Sequence, residues 1–201
     1  MFDILVKNIS APPIDKREIL RYAGCLTDLD EQTDALFSAC LQESEKAFSY
    51  RVCYRKLTAA EFFAQVTGAA ESKALQERLC GCEEVVIFAA SVGLGIDRLM
   101  EKYARISPAK ALFFQAIGAE RIEGLCEEFC LALQEEYGAV TGRFSAGYGD
   151  FPLAAQKDFF RLLDCPRKIG LTLNDGALMT PTKSVTAVVG IISREKMGAT
   201  K

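Results

Sequence analysis

The run Arg143-Phe-Ser-Ala-Gly147-Tyr148-Gly149-Asp150-Phe-Pro152 holds the residue types best suited to gripping a small charged molecule. A planar guanidinium holds a carboxylate through two parallel hydrogen bonds. Glycine lets main-chain N–H and C=O groups approach a ligand closely. An aromatic ring can cover a flat base or a cation, and a helix starting at Pro152 would point its positive end at the loop. An ordinary glycine-rich connection carrying a surface arginine accounts for the same residues, and taken alone they leave the two readings level.

Other candidates are weaker. Ser91-Val-Gly93-Leu-Gly95-Ile-Asp97-Arg98 sits where a dinucleotide fingerprint would follow a strand, but Arg98 occupies the third glycine position. A tight strand-to-helix turn is the preferred reading. Thr182-Lys183-Ser184 lacks the glycine that a phosphate loop needs before its lysine. The acidic pairs Glu83-Glu84, Glu127-Glu128 and Glu135-Glu136 diverge on a helix or turn and read as solvated faces. The eight cysteines show no Cys-x-x-Cys spacing and read as small buried hydrophobes, not as metal ligands. There is no histidine. That removes imidazole-based nucleophile activation and any histidine ligand to a metal, and no residue is assigned a catalytic role.

The elements that must position these residues follow from capping and periodicity. Asp15 to Glu18 forms a capping box for a helix ending near Gly24. A longer helix is expected from Asp30 to Phe48, a strand from Arg51 to Leu57, and a helix opened by Thr58 and Glu61. Ser72 to Leu79 is a further short helix. Glu84 to Ser91 is apolar on both faces and reads as a central strand. Helices from Ile96 to Ile106 and from Pro108 to Tyr137 follow, the latter with Leu112, Phe113, Ile117, Ile122, Leu125, Phe129 and Leu133 on its buried side. Thr141 to Phe151 has no period, Pro152 starts a helix through Leu163, and Pro166 ends it. Ile169 to Leu173 and Ser184 to Ser193 read as strands. The fold class is α+β, a mixed or antiparallel sheet flanked by helices.

With 201 residues, half of them hydrophobic, the chain can bury a sizeable core. The net charge of −3 and the mixing of signs give no support to a nucleic-acid partner. The longest apolar run, Val85 to Ile96, has about half the length of a spanning helix. Neither a membrane nor a signal segment is expected, and the location is cytoplasmic.

Two ordered motifs resemble the C-terminal activation domain of cobalamin-dependent methionine synthase. Arg143-Phe-Ser-Ala-Gly147-Tyr148, followed by the Pro152-started helix with Phe159-Phe-Arg-Leu-Leu163, is the first. Leu171-Thr-Leu-Asn-Asp-Gly-Ala-Leu-Met179-Thr-Pro181-Thr-Lys-Ser-Val-Thr186 is the second. The likeness runs from about Ala111 to Ile191, and the first 110 residues resemble small stand-alone relatives of that domain. It implies an N-terminal region, residues 1–110, packing on an activation-domain-like core, residues 111–201, as one structural unit. It also implies that S-adenosylmethionine is bound, with Arg143 on its carboxylate and main chain around Ala146, Gly147, Tyr148 and Asp150 framing it. The implied role is reductive reactivation in methionine biosynthesis. Cobalamin would be reached only through a partner, a corrinoid methyltransferase, with a flavodoxin-like or other electron donor. The alternative is a non-catalytic docking subunit of a corrinoid protein that has lost the ligand. The chain departs from the family at Gly149-Asp-Phe-Pro152, where Pro-Ala-Cys-Pro is usual.

Overall fold

The computed structural model describes residues 3–25 and 29–192. Four strands form one sheet in the order β1 (Leu5–Asn8), β2 (Arg51–Thr58), β3 (Glu84–Ser91) and β6 (Ser184–Ile191). Every pairing in it is antiparallel. A two-stranded hairpin, β4 (Thr172–Leu173) with β5 (Met179–Thr180), stands apart from it. The sheet therefore takes three strands from the first 110 residues and its fourth from the end of the chain.

Period-two alternation divides the core into two layers. Val52, Tyr54, Val86, Phe88, Ala90, Ala187 and Val189 face one side. There they meet α1 (Lys16–Tyr22), α2 (Glu31–Ser44), α5 (Gly95–Tyr103) and α6 (Pro108–Tyr137). Cys53, Leu57, Val85, Ile87, Ala89 and Val188 face the other side. These meet α3 (Ala59–Gln65), α4 (Lys73–Arg78), α7 (Gln156–Leu163) and α8 (Cys165–Ile169). Seven of the eight β3 residues are buried, because helices cover both faces of this central strand, as its unbroken apolar run requires.

The 30-residue helix α6 is the backbone of the first layer. Pro108 opens it, since its missing N–H has no partner in a first turn anyway. Its glycines bring neighbours close. A Cβ at Gly118 would lie 3.0 Å from the Lys183 stem and 3.1 Å from Ile96, and one at Gly124 would lie 3.3 Å from Pro12. Phe129 lies between Tyr54 and Phe88, with ring centroids at 5.1 and 4.9 Å.

Several sequence expectations need correction. Leu112 is exposed, not buried, because it lies at the edge of the α6 stripe. The helix from Asp30 ends at Ser44, and a 3-10 turn, Glu45–Ala47, completes it. The strand expected over Ile169 to Leu173 shrinks to Thr172–Leu173, since Pro166 starts α8 instead of ending a helix. Asp164, left-handed at φ 47°, separates α7 from α8. β1 carries no sequence signal, its four residues all being exposed at an edge. The strand from Ser184 reaches Ile191, and Ser193 lies outside the described residues. Among the cysteines, Cys40, Cys53, Cys82, Cys126 and Cys165 are buried, whereas Cys25 and Cys130 are half-buried and Cys80 is exposed. No helix among the described residues is long and apolar enough to cross a membrane.

Candidate functional site

The segment after α6 does not hang free. It runs along the outer edge of β6, where Thr141 and Phe144 donate to Gly190 and Val188, each at 2.9 Å. Strand-like alternation then sends successive side chains to opposite faces. Arg143 goes to the α6 face, and its guanidinium donates to Glu123 Oε2. Phe144 goes to the other face, where its ring meets Tyr148 edge-on at 6.2 Å and Phe151 at 6.3 Å.

The Arg143–Glu123 pair is only partly covered, with 26% and 39% of the two side chains exposed. Burial works against the charge on Arg143. Cys126 and Glu123 outweigh it, so the guanidinium pKa stands above its usual value. Burial pushes the Cys126 thiol up to about 12, Arg143 opposing it only in part. Cys130 is raised by burial as well. Burial thus holds both thiols beside the guanidinium toward their protonated form.

Glu123 opens on a cleft of about 950 Å³. One wall is the α6 row Glu120, Glu123, Gly124 and Glu127; the other is the segment from Pro12 to Glu18 together with Tyr22. Burial, and then the charge of Glu123, raise the pKa of the Tyr22 hydroxyl. Arg143 does not line this cleft and touches it only through Glu123.

The opposite wall is held by a second acid–arginine pair. Glu120 and Arg121 are 4% and 2% exposed. Arg121 donates to the carbonyls of Pro12 at 2.7 Å and Pro13 at 2.6 Å, and to Glu120 Oε2 at 2.5 Å. Glu120 accepts from the main-chain N–H of Asp15 at 3.0 Å. The capping box expected at Asp15 is thus half made. Asp15 accepts from the N–H of Glu18, but Glu120 takes the return role, and Glu18 pairs with Arg21.

The other residues named from sequence are gathered on the α4 side, away from Glu123. Ala146 is buried in the second core layer. Gly147 has φ 92°, which a residue with a side chain adopts only under strain, and its N–H donates to Phe151 at 2.9 Å. Tyr148 is 61% exposed. Asp150 accepts from Ser72 Oγ at 2.5 Å and from the N–H groups of Lys73 at 2.8 Å and Ala74 at 3.2 Å, so it anchors the start of α4. The Ser72 bond, and then that of Lys73, hold its carboxyl below the usual range. Arg143 turns toward α6, whereas Gly149 lies against Ala74 of α4.

Glu123 escaped the sequence reading because the signal lies 20 residues upstream, inside a helix rich in glutamates. At Gly93–Gly95 the bland reading holds. A Cβ at Gly93 would collide with Ser49, and one at Gly95 with the carbonyl of Ala47. Gly93 packs against the Ser49 side chain and Gly95 against the Ala47 backbone, the close contacts of a tight strand-to-helix turn.

No protein-family model and no curated protein sequence matches the chain. Its fold is similar to that of the crystal structure of the MetH reactivation domain bound to AdoHcy. The TM-score is 0.64 over 96% of this chain and 79% of that chain, with 14% identity. At that identity the likeness speaks for the fold, an antiparallel sheet flanked by helices on both faces.

Proposed function

We propose that this protein is a stand-alone factor that binds S-adenosylmethionine or its demethylated product through the cleft at Glu123. In this reading it serves the reductive reactivation of a cobalamin-dependent methionine synthase or another corrinoid methyltransferase in the cytoplasm. The observation that carries the reading is the half-covered Glu123–Arg143 pair, whose glutamate lines the cleft, on a fold like that of a domain solved with AdoHcy. An α-amino acid headgroup carries an ammonium and a carboxylate on one carbon. Glu123 turns to the ammonium, and the ligand's carboxylate takes its place on Arg143, so that one exposed ion pair becomes two charge-assisted contacts. Tyr22 on the far wall offers a ring to the adenine. Ala146 to Asp150 act indirectly, by fixing the main chain that carries Arg143.

The chemistry asks little of the protein. A corrinoid on the partner supplies the nucleophile after reduction by a flavodoxin-like or other donor, and a sulfonium is already an activated methyl donor. The residues of this chain bind and orient the donor. No general base is required, in keeping with the absence of histidine.

A second reading rests on the same pair. Arg143 already has a partner in Glu123, and Asp150 is committed to α4. A docking subunit that keeps the fold without the ligand would look like this.

Calorimetric titration of S-adenosylmethionine separates the two readings. Saturable heat from the wild type, absent in Arg143→Ala and diminished in Glu123→Gln, is the expected result. Silence from the wild type leaves the docking subunit.

A further inference from the structure

Lys183, the residue before β6, is 8% exposed, although lysine is almost never buried unless it is paired. Its carbonyl accepts from the Val92 N–H at 3.2 Å, which fixes its main chain at the end of the sheet. Its stem lies across α6 at Gly118, where a Cβ would come within 3.0 Å of its Cγ and 3.1 Å of its Cε, beside Ile96 of α5. Glycine at 118 leaves open the channel that the stem fills. The Lys183 nitrogen makes no hydrogen bond or ion pair among the described residues. It is nonetheless not sealed, so the tip meets water while the stem is buried.

Asp97 of α5 is the charge that acts on this nitrogen, from beyond ion-pair distance. That carboxylate is already engaged, accepting from the Thr182 N–H at 2.8 Å and the Thr182 hydroxyl at 2.5 Å. On the α6 side Gly118 has no charge to offer. Burial without a partner disfavours the ammonium and lowers the Lys183 pKa, Asp97 opposing it only in part. A desolvated lysine amine that keeps its lone pair is a nucleophile. A carbamate or a phosphoryl group there would set a second negative charge near Asp97, and an imine would take up a proton and restore the cation. An uncharged amide does neither. We infer that Lys183 is a modification site that accepts a small uncharged acyl group from an acyl phosphate, a donor reactive enough to need no help from Asp97. The amine lone pair attacks the acyl carbon and a C–N bond forms. The bond to the phosphate oxygen breaks, phosphate leaves, and the proton lost by nitrogen passes to water.

The probe is acetyl phosphate in limiting amount on the full chain, and the readout is site-resolved peptide mass spectrometry. Lys73 and Lys157, both exposed, serve as references. The ratio of acetylation at Lys183 to that at the references should be highest near neutrality. It should fall severalfold as pH rises toward about 10.4, where ordinary lysines lose their protons as well. In concentrated urea the burial is gone, and the ratio should no longer depend on pH. The inference is overturned if Lys183 stays unlabelled while the references react, if its ratio in the folded protein does not fall with pH, or if the same fall persists in urea.

Discussion

Two acid–arginine pairs have their acids, Glu120 and Glu123, within one turn of each other on α6, and they do opposite things. Glu120–Arg121 is nearly sealed, with 5% and 3% of the side chains exposed, and its remaining hydrogen-bonding capacity goes to the main chain of Pro12, Pro13 and Asp15. Glu123–Arg143 has the same chemistry but stands in partial contact with water, and its glutamate lines a cleft. Removing a partner from a sealed pair leaves an uncompensated charge in a medium that cannot solvate it. In the open pair, water and small ions can replace either partner at little cost. Position, not residue type, makes one pair part of the scaffold and leaves the other available to a ligand.

The comparison breaks most visibly at Arg121. Arg121→Met strands the Glu120 carboxylate and releases the Pro12–Pro13 strap, and a loss of about 3–5 kcal/mol in unfolding free energy is expected from urea titration. Replacing both partners, Glu120→Leu with Arg121→Met, removes the stranded charge and should cost less than the single change. A double variant that is worse than Arg121→Met would show that the strap contacts outweigh the charge.

At the open pair the same kind of substitution should hardly move stability. Glu123→Gln and Arg143→Ala are each expected within about 1 kcal/mol of the wild type in the same titration. Their effect belongs to ligand heat instead. A large destabilisation by Arg143→Ala would move this pair into the scaffold class and weaken the ligand reading with it.

The smallest effect concerns Asp150, an exposed carboxylate that works for the fold. Hydrogen bonds from Ser72 and Lys73 depress its pKa in the folded state. Its contribution is therefore present above the unfolded value, about 3.9, and is lost as pH falls through the folded one. The gap in urea midpoint between wild type and Asp150→Asn should be widest near neutrality and close below about pH 3.9. A gap independent of pH would mean that the carboxylate charge is not what anchors α4.

Much of the architecture is legible in the residues because it depends on local rules. The capping box expected at Thr58 and Glu61 is fully made, and the one at Asp15 is half made. The apolar run of β3 marks it as central, and Pro108 marks the start of α6. β1 is invisible because an edge strand of four exposed residues carries no hydrophobic pattern. α8 is missed because a proline that can end one helix can equally begin another.

Of the candidate site, the sequence determined the inventory: no histidine, one arginine set in a glycine-rich run, and eight cysteines without Cys-x-x-Cys spacing. It could not determine which carboxylate would face Arg143, since α6 carries six glutamates and the nearest to Arg143 in sequence are not its partners. That choice was made by the docking of residues 140–144 along β6, whose alternation turns Arg143 toward α6 and Phe144 away. Tertiary structure likewise decided that Asp150 serves α4 and that Glu120, not Glu18, closes the cap at Asp15. Such pairings join residues 77 and 105 positions apart. Local propensity acts over a turn or two of chain, whereas these contacts arise only when packed elements bring distant segments to one place.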